Sequence, residues 1–185
     1  MHAPSAPMTG PSVQALLDDG ALAGAWRLDP RESSIALKST AFGVLPVKGV
    51  FREVSGYGTV SAKGEVSGTL TVAAASIDTK NARRDTHLRS ADFFDSASNP
   101  DITFTADGIR VSGEAAAVTG ALTVRERTRP LSFDAVASAG RDGEIWLDAE
   151  VRVNRADFGL TWNRMGMVSM NSTLTIHAMF VQRGE

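Results

Sequence analysis

The sequence predicts an all-β fold: an antiparallel, eight-stranded β-barrel with a short helical lid and a short N-terminal helix. Three observations carry this. From Trp26 onward apolar residues alternate with a period of two, the pattern of strands with one dry face and one wet face. Glycines recur through the same region, at Gly43, Gly49, Gly56, Gly58, Gly64, Gly68, Gly108, Gly113, Gly120, Gly140 and Gly143, in the rhythm of hairpin turns. A sheet with that many half-buried strands must cover its dry face, and curling onto itself does so while removing exposed edges.

The elements follow in order. Residues 1–24 read as a Pro-, Ser- and Ala-rich tail, with Pro4, Pro7 and Pro11, ending in a short helix in which Val13, Leu16 and Leu17 share a face. Residues 25–183 read as one barrel domain. Its strands are signalled by Ile35 and Leu37, Leu70 and Val72, Ile102 and Phe104, Leu122 and Val124, and by Leu131, Phe133 and Ala135. The clearest is Ile145 to Val153, where Ile145, Leu147, Ala149, Val151 and Val153 alternate with Trp146, Asp148, Glu150 and Arg152. Leu174, Ile176, Ala178 and Phe180 repeat the pattern near the end of the chain. About eight or nine strands emerge, joined by turns short enough for antiparallel neighbours. Asp78 to Asp95 interrupts the rhythm, and Asn81 to Arg89 within it is polar and helix-compatible, a lid or plug for one barrel mouth.

Composition narrows the function. With 185 residues, 43% hydrophobic and 22% charged, the chain suits one globular domain. Nineteen basic against twenty-one acidic residues give a net charge of -2, without a like-charge run to attract a polyanion, so nucleic acid is not an expected partner. Cysteine is absent, which removes disulfides, thiolate metal sites and thiol nucleophiles. No run approaches the ~20 apolar residues of a membrane-crossing helix. Residues 1–24 lack a basic start followed by an apolar run, so the expected location is cytoplasmic.

The dry faces mix large residues with small ones: Ser39 and Ala41 after Leu37, Ala106 after Phe104, Ala135 and Ala137 after Phe133, then Ala149 and Ala178. An eight-stranded barrel is about the size at which side chains either fill the lumen or leave room for one small ligand. If the small residues gather at one level, an empty pocket of about 300 Å³ costs on the order of 7 kcal/mol, comparable with the net stability of a domain. A hydrocarbon in the space recovers ~0.8 kcal/mol per buried methylene. The alternative is a tapered barrel in which small and large residues interlock around a solid core, leaving a structural or interaction module.

Several stretches resemble the YceI-like family of lipocalin-like barrels. They are Trp26-Arg27-Leu28-Asp29 with Ser33, Ser34 and Ile35, then Val47-Lys48-Gly49-Val50-Phe51. Next come Ser76-Ile77-Asp78-Thr79, Arg84-Asp85, His87-Leu88, Asp92-Phe93-Phe94-Asp95 and Pro100-Asp101-Ile102-Thr103-Phe104, the most specific group. Val118-Thr119-Gly120-Ala121-Leu122-Thr123-Val124 and Arg155-Ala156-Asp157-Phe158-Gly159-Leu160 complete a series that spans roughly Trp26 to Val181 in family order. The resemblance implies binding of a polyisoprenoid, an isoprenoid quinone or a fatty-acid-like lipid, held in the lumen and carried or sequestered there. The residues themselves indicate only a long apolar ligand. One departure stands out: where many members carry His in the first hairpin, this chain has Ala41.

On this reading the ligand is lined by Leu37, Phe51, Leu70, Val72, Ile77, Ile102, Phe104, Leu122, Phe133, Leu147 and Ile176 from strands. Phe42, Leu88, Phe93, Phe94 and Phe158 join them from turns and lid, and Trp162, Met165 and Met167 from a cluster whose flexible thioethers adapt to irregular partners. Arg84, His87, Arg155 and Asn163 form a polar rim able to donate to a head-group oxygen, unless Arg84 and Arg155 are surface ion pairs with Asp85 and Asp157.

Catalytic signals are absent by comparison. Of three histidines, His2 is in the tail, His177 is on a wet face and His87 is in the lid, none at metal-ligand spacing, so neither a metal nor another cofactor is expected. Asp78, Asp85, Asp92, Asp95 and Asp101 suit helix entry and turns better than paired-carboxylate hydrolysis. No GxSxG elbow, P-loop or dinucleotide fingerprint occurs. The chain is therefore read as a non-enzyme. A lipid hydrolase or isomerase working through Asp85, His87 and Asp92 is the weaker alternative. A homodimer using an apolar patch near Trp146 completes the expected partners.

Overall fold

The computed structural model describes residues 10–184; His2, Pro4 and Pro7 of the tail lie outside that range. The first element is α1 (Val13–Asp18), whose cap is Ser12: its hydroxyl accepts from the Ala15 N–H. Then come β1 (Gly24–Leu28), β2 (Ser34–Ala41), β3 (Leu45–Phe51), β4 (Val54–Val60), β5 (Val66–Ala73) and the two-residue β6 (Ile77–Asp78). After α2 (Ala82–Arg89) the chain runs through β7 (Asp101–Ser112), β8 (Ala115–Val124), β9 (Arg127–Ala139), β10 (Ile145–Asn154) and β11 (Asn171–Gln182).

All pairings among the described strands are antiparallel, and eight strands close a ring in the order β1-β4-β5-β7-β8-β9-β10-β11, with β11 returning to β1. The closing register joins Trp26 to Gln182 and Leu28 to Phe180. The predicted eight-stranded closed barrel is thus present, with three additional strands. Their origin is a break in the early strands. Residues 34–38 of β2 lie along the first half of β11, while β1 lies along its last residues. β3 in turn pairs with β2, and β4 with β1. The two early hairpin arms therefore bend at one level, β1 into β2 and β3 into β4, and the upper part of the barrel splays outward.

On the splayed side β6 pairs with β3 but no strand bonds β6 to β7. The stretch from Thr79 to Pro100, containing α2, occupies that side. Arg89 ties it down by donating to the carbonyls of Ala75 and Ile77, at 2.7 and 2.9 Å. As the sequence suggested, the helix begins at an amide cap: Asn81 Oδ1 accepts from the Arg84 N–H at 2.9 Å. Gly49 is required on β3, because a Cβ there would sit 2.9 Å from Ile77 Cδ1 and from Thr79 Cγ2.

Two apolar clusters fill the barrel unequally. The upper one centres on Leu28, Phe51, Ile77, Phe94, Val151 and Phe158. The lower one gathers Val13, Leu22, Trp26, Ala106, Ala116, Val118, Ala135 and Ala137 under α1, which plugs the end opposite α2. Small residues let α1 approach closely, and the Trp26 indole N–H is satisfied by the Leu22 carbonyl at 2.8 Å. Trp26→Ala is expected to destabilise the protein by about 3 to 5 kcal/mol, read as a lowered urea midpoint.

Candidate functional site

The lumen above the lower plug is hollow. A cavity of about 720 Å³ runs between β2, β3, β5, β7–β11 and α2. Its walls are the inward faces that alternation picks out: Ile35 and Leu37, Phe51, Leu70 and Val72, Ile102 and Phe104, Leu122, Phe133, Val151 and Val153, and Leu174 and Ile176. Small residues make the room. Ser39, Ala41 and Gly49 face the cavity where β2 and β3 splay. An enclosed void of this size would cost ~17 kcal/mol by the scaling for engineered core cavities, more than the ~5–15 kcal/mol net stability of a domain. Such a space is stable only if it is open at a mouth or occupied.

A second, smaller cavity of about 150 Å³ lies toward α1, lined by Trp26, Ala106, Val118, Ala137 and Leu147. Leu70, Phe104, Phe133 and Ile176 border both spaces. Among them the Phe104 and Phe133 rings pack against each other, with centroids 5.4 Å apart. Gly120 admits the Phe104 ring, whose tip would lie 2.8 Å from a Cβ at that position.

Most polar side chains of the main cavity come from α2 and its approach, Thr79, Asn81, Arg83, Arg84 and His87, while Ser39, Arg155 and Ser172 line it from the strand walls and the β10–β11 connection. Arg84 donates from Nε to Thr79 Oγ1 and from Nη2 to the Thr79 carbonyl, both at 2.8 Å. Asp85 is buried and accepts from the Thr79 N–H and hydroxyl. The alternative ion pair Arg84–Asp85 does not form, since both partners are committed to Thr79 instead. His87 sits in an aromatic corner, edge-on to Trp162 at 4.4 Å and to Phe93 at 5.2 Å, and pairs with Asp92 at 3.0 Å. On β2 opposite Val47, Ser39 Oγ is buried without a hydrogen-bond partner.

Arg155 does a different job from the one the sequence suggested. It touches the cavity, yet its guanidinium is buried and aimed at backbone carbonyls: Nε to Ser169 at 2.9 Å, Nη1 to Leu160 and Trp162 at 2.6 and 2.9 Å, and Nη2 to Val168 at 3.4 Å. The Asp157 ion pair is not made. Burial lowers the Arg155 pKa from its usual value, and Phe93 lies under its charge at 5.6 Å. One side chain thus organises the whole connection from β10 to β11. Asn163 is also a loop residue and does not line the cavity, as its amide exchanges hydrogen bonds with the Val168 backbone.

Most predicted lining residues do face the main cavity: Leu37, Phe51, Leu70, Val72, Leu88, Phe93, Phe94, Ile102, Phe104, Leu122, Phe133, Phe158, Trp162 and Ile176. Five do not. Leu147 faces the smaller cavity. Ile77 is fully buried, wedged into the space over Gly49. Phe42 takes a left-handed turn conformation, φ 52°, that swings it out to 60% exposure. Met165 is likewise turned out, with φ 60° and 85% exposure, and Met167 stays in the same loop, outside the lining. Sequence reasoning missed Val47, Thr79, Asn81 and Val168, which border the mouth. Thr79 ends the Ser76-Ile77-Asp78-Thr79 stretch, but nothing in alternation marks it as the group that holds Arg84. Trp146, the expected dimer contact, is half-buried and stacks on His177 at 4.6 Å, while His177 Nδ1 pairs with Asp148.

A closed antiparallel barrel with a hollow apolar lumen, plugged below and helix-lidded above, defines the class. A family model described as the YceI-like domain matches residues 26–180, and the chain belongs to that family. Protein YceI of Escherichia coli O157:H7 is 31% identical over 143 residues, covering 73% of this chain and 74% of that protein. Protein YceI of Salmonella arizonae shows the same identity and coverage. Among solved structures, Burkholderia cenocepacia BcnA aligns with TM-score 0.75 and 20% identity over 82% of this chain and 98% of its own. A polyisoprenoid binding domain from Saccharophagus degradans, implicated in plant cell wall breakdown, aligns with TM-score 0.71 and 16% identity over 85% and 98%. At these identities the two structures show the fold alone.

Among the described residues no cluster of three or more His, Asp or Glu side chains is arranged to hold a metal ion, and no helix is long and apolar enough to cross a membrane. One charge does shape the lid. Arg52 and the Lys80 backbone and ammonium hold the Asp78 carboxyl well below the usual carboxylate range. A depressed folded-state pKa contributes stability that is present above the unfolded value near about 4 and lost as pH falls through the folded one. Acidification below about pH 4 is therefore expected to loosen β6 and α2, read as faster amide exchange there, with Asp78→Asn removing the pH dependence. Arg155→Met, which takes the side-chain donor from the carbonyls of Leu160, Trp162 and Ser169, is expected to cost about 3 kcal/mol or more in chemical denaturation.

Proposed function

We propose that the protein binds one long, apolar lipid in the barrel lumen, with its tail toward Phe104 and Phe133 and its head at the α2 end, and carries or sequesters it. The observation that carries this reading is the 720 Å³ cavity itself: apolar along most of its lining, with most of its polar side chains supplied by the lid. Burial of hydrocarbon against such walls yields ~0.8 kcal/mol per methylene, so affinity comes from the chain and orientation from the few polar groups. A polyisoprenoid, an isoprenoid quinone or a fatty-acid-like lipid satisfies that description. The Saccharophagus degradans neighbour, described as a polyisoprenoid binding domain, supports the first.

Binding without chemistry is the better reading of the polar groups. Asp85 is buried against Thr79, Asp92 is paired with His87, and Arg84 is engaged by Thr79, so the lid's hydrogen bonds serve its own structure.

Organic extraction of the purified protein followed by mass spectrometry is expected to yield about one lipid per chain, and removal of that lipid to lower the Tm, because a ligand bound only to the folded state stabilises it. Ser39→Phe, which projects a ring into the cavity beside Ala41 and Leu37, is expected to retain the fold by circular dichroism and to reduce bound lipid by roughly tenfold. An empty extract from the unaltered protein, with no uptake of added lipid, would refute the reading.

A further inference from the structure

Large exposed apolar side chains are concentrated at the cavity mouth. Phe42, Val44 and Leu45 form the tip of the β2–β3 hairpin and are 60%, 78% and 54% exposed; Met165 is 85% exposed. The two segments are one surface. The Phe42 N–H donates to the Met167 carbonyl at 2.6 Å, the Ser169 N–H donates to the Thr40 carbonyl at 2.8 Å, and Ala41 bridges to Val168. Ala41, Val47, Trp162 and Val168, which flank the exposed residues, line the cavity. The outer patch is therefore continuous with the inner walls.

The conformation of both tips is specific. Phe42 and Met165 each take positive φ, which bulky residues seldom adopt, and each is turned away from its own barrel by that geometry. Within the two segments themselves the charges have one sign. Residues 38–48 and 160–170 contain Lys38, Lys48 and Arg164 and no carboxylate, in a chain of net charge -2. All three cations are exposed, and among the described residues none is in an ion pair.

We propose that this rim is a docking surface for an anionic lipid bilayer: Phe42, Val44, Leu45 and Met165 enter the acyl boundary while Lys38, Lys48 and Arg164 meet the head groups. An apolar tip ringed by cations is the composition of an interfacial anchor, in which buried area and attraction to anionic lipid add. The geometry also sets the mouth of the lumen against the membrane, so that an apolar chain passes from bilayer to barrel without crossing water. The identity of the surface rests on the lipid-binding reading above, but the docking itself is measured separately.

The test is co-sedimentation of the full chain with vesicles of phosphatidylcholine containing about one-quarter phosphatidylglycerol, compared with phosphatidylcholine alone. The expected result is binding to the anionic vesicles that weakens with salt. The triple variant Val44→Ser, Leu45→Ser, Met165→Ser is expected to bind about tenfold less. Val136→Ser, which removes an exposed apolar residue on β9, serves as control and is expected to bind unchanged. Failure of the unaltered protein to sediment, or equal binding by the triple variant, overturns the proposal. So does a concentration-dependent dimer that the triple variant abolishes in the absence of vesicle binding, which would make a second copy the occupant. Solvent extraction of the same preparations reads the lumen independently: lipid inside without vesicle binding removes docking alone, and an empty lumen removes the ligand reading.

Discussion

The sharing of β11 between two partners is the constraint from which the architecture follows. A strand edge has one row of donors and acceptors, and here its first half bonds β2 while its last residues bond β1. The early strands must bend between those two partners. Below the bend the ring closes and small residues let α1 seal it. Above the bend the same strands lean outward, and the wall needs α2 and the stretch after it to be complete. The cavity lies on that side, where Ser39, Ala41 and Gly49 of β2 and β3 line it together with polar groups from the lid.

The upper rim depends on backbone carbonyls more than on charge pairs. Arg155 collects four of them and Arg89 two, and Asn163 closes the turn between. Guanidinium suits the task, because its planar fork presents several donors at fixed angles, whereas an ammonium is a point charge. These contacts hold the irregular connection from β10 to β11 open around the mouth while leaving its hydrophobic tip free.

Much of this was legible in the residues. Alternation along Ile145 to Val153 and Leu174 to Phe180 identified two of the long strands and their inward faces, and Asn81 marked the start of the lid helix. The strand break was not legible, because Ile35, Leu37 and Phe51 alternate whether or not the strand bends beside them. Individual turn residues were also misplaced. Hydrophobic type suggested an inward Phe42 and Met165, but each sits at a left-handed position in a turn, where backbone geometry and not polarity decides direction. Arg155 illustrates a further limit: its nearest acid in sequence, Asp157, offered a partner, yet carbonyls brought in from beyond Leu160 satisfy it better.

The pairing of Trp26 with Gln182 joins almost the two ends of the chain. From β7 to β11 every strand bonds its sequence neighbour, so that meander assembles through short-range contacts. The seam between β1 and β11 has no such shortcut, because its partners stand far apart in the sequence. Without that seam the sheet would be open along one side, and the lumen would have no closed wall.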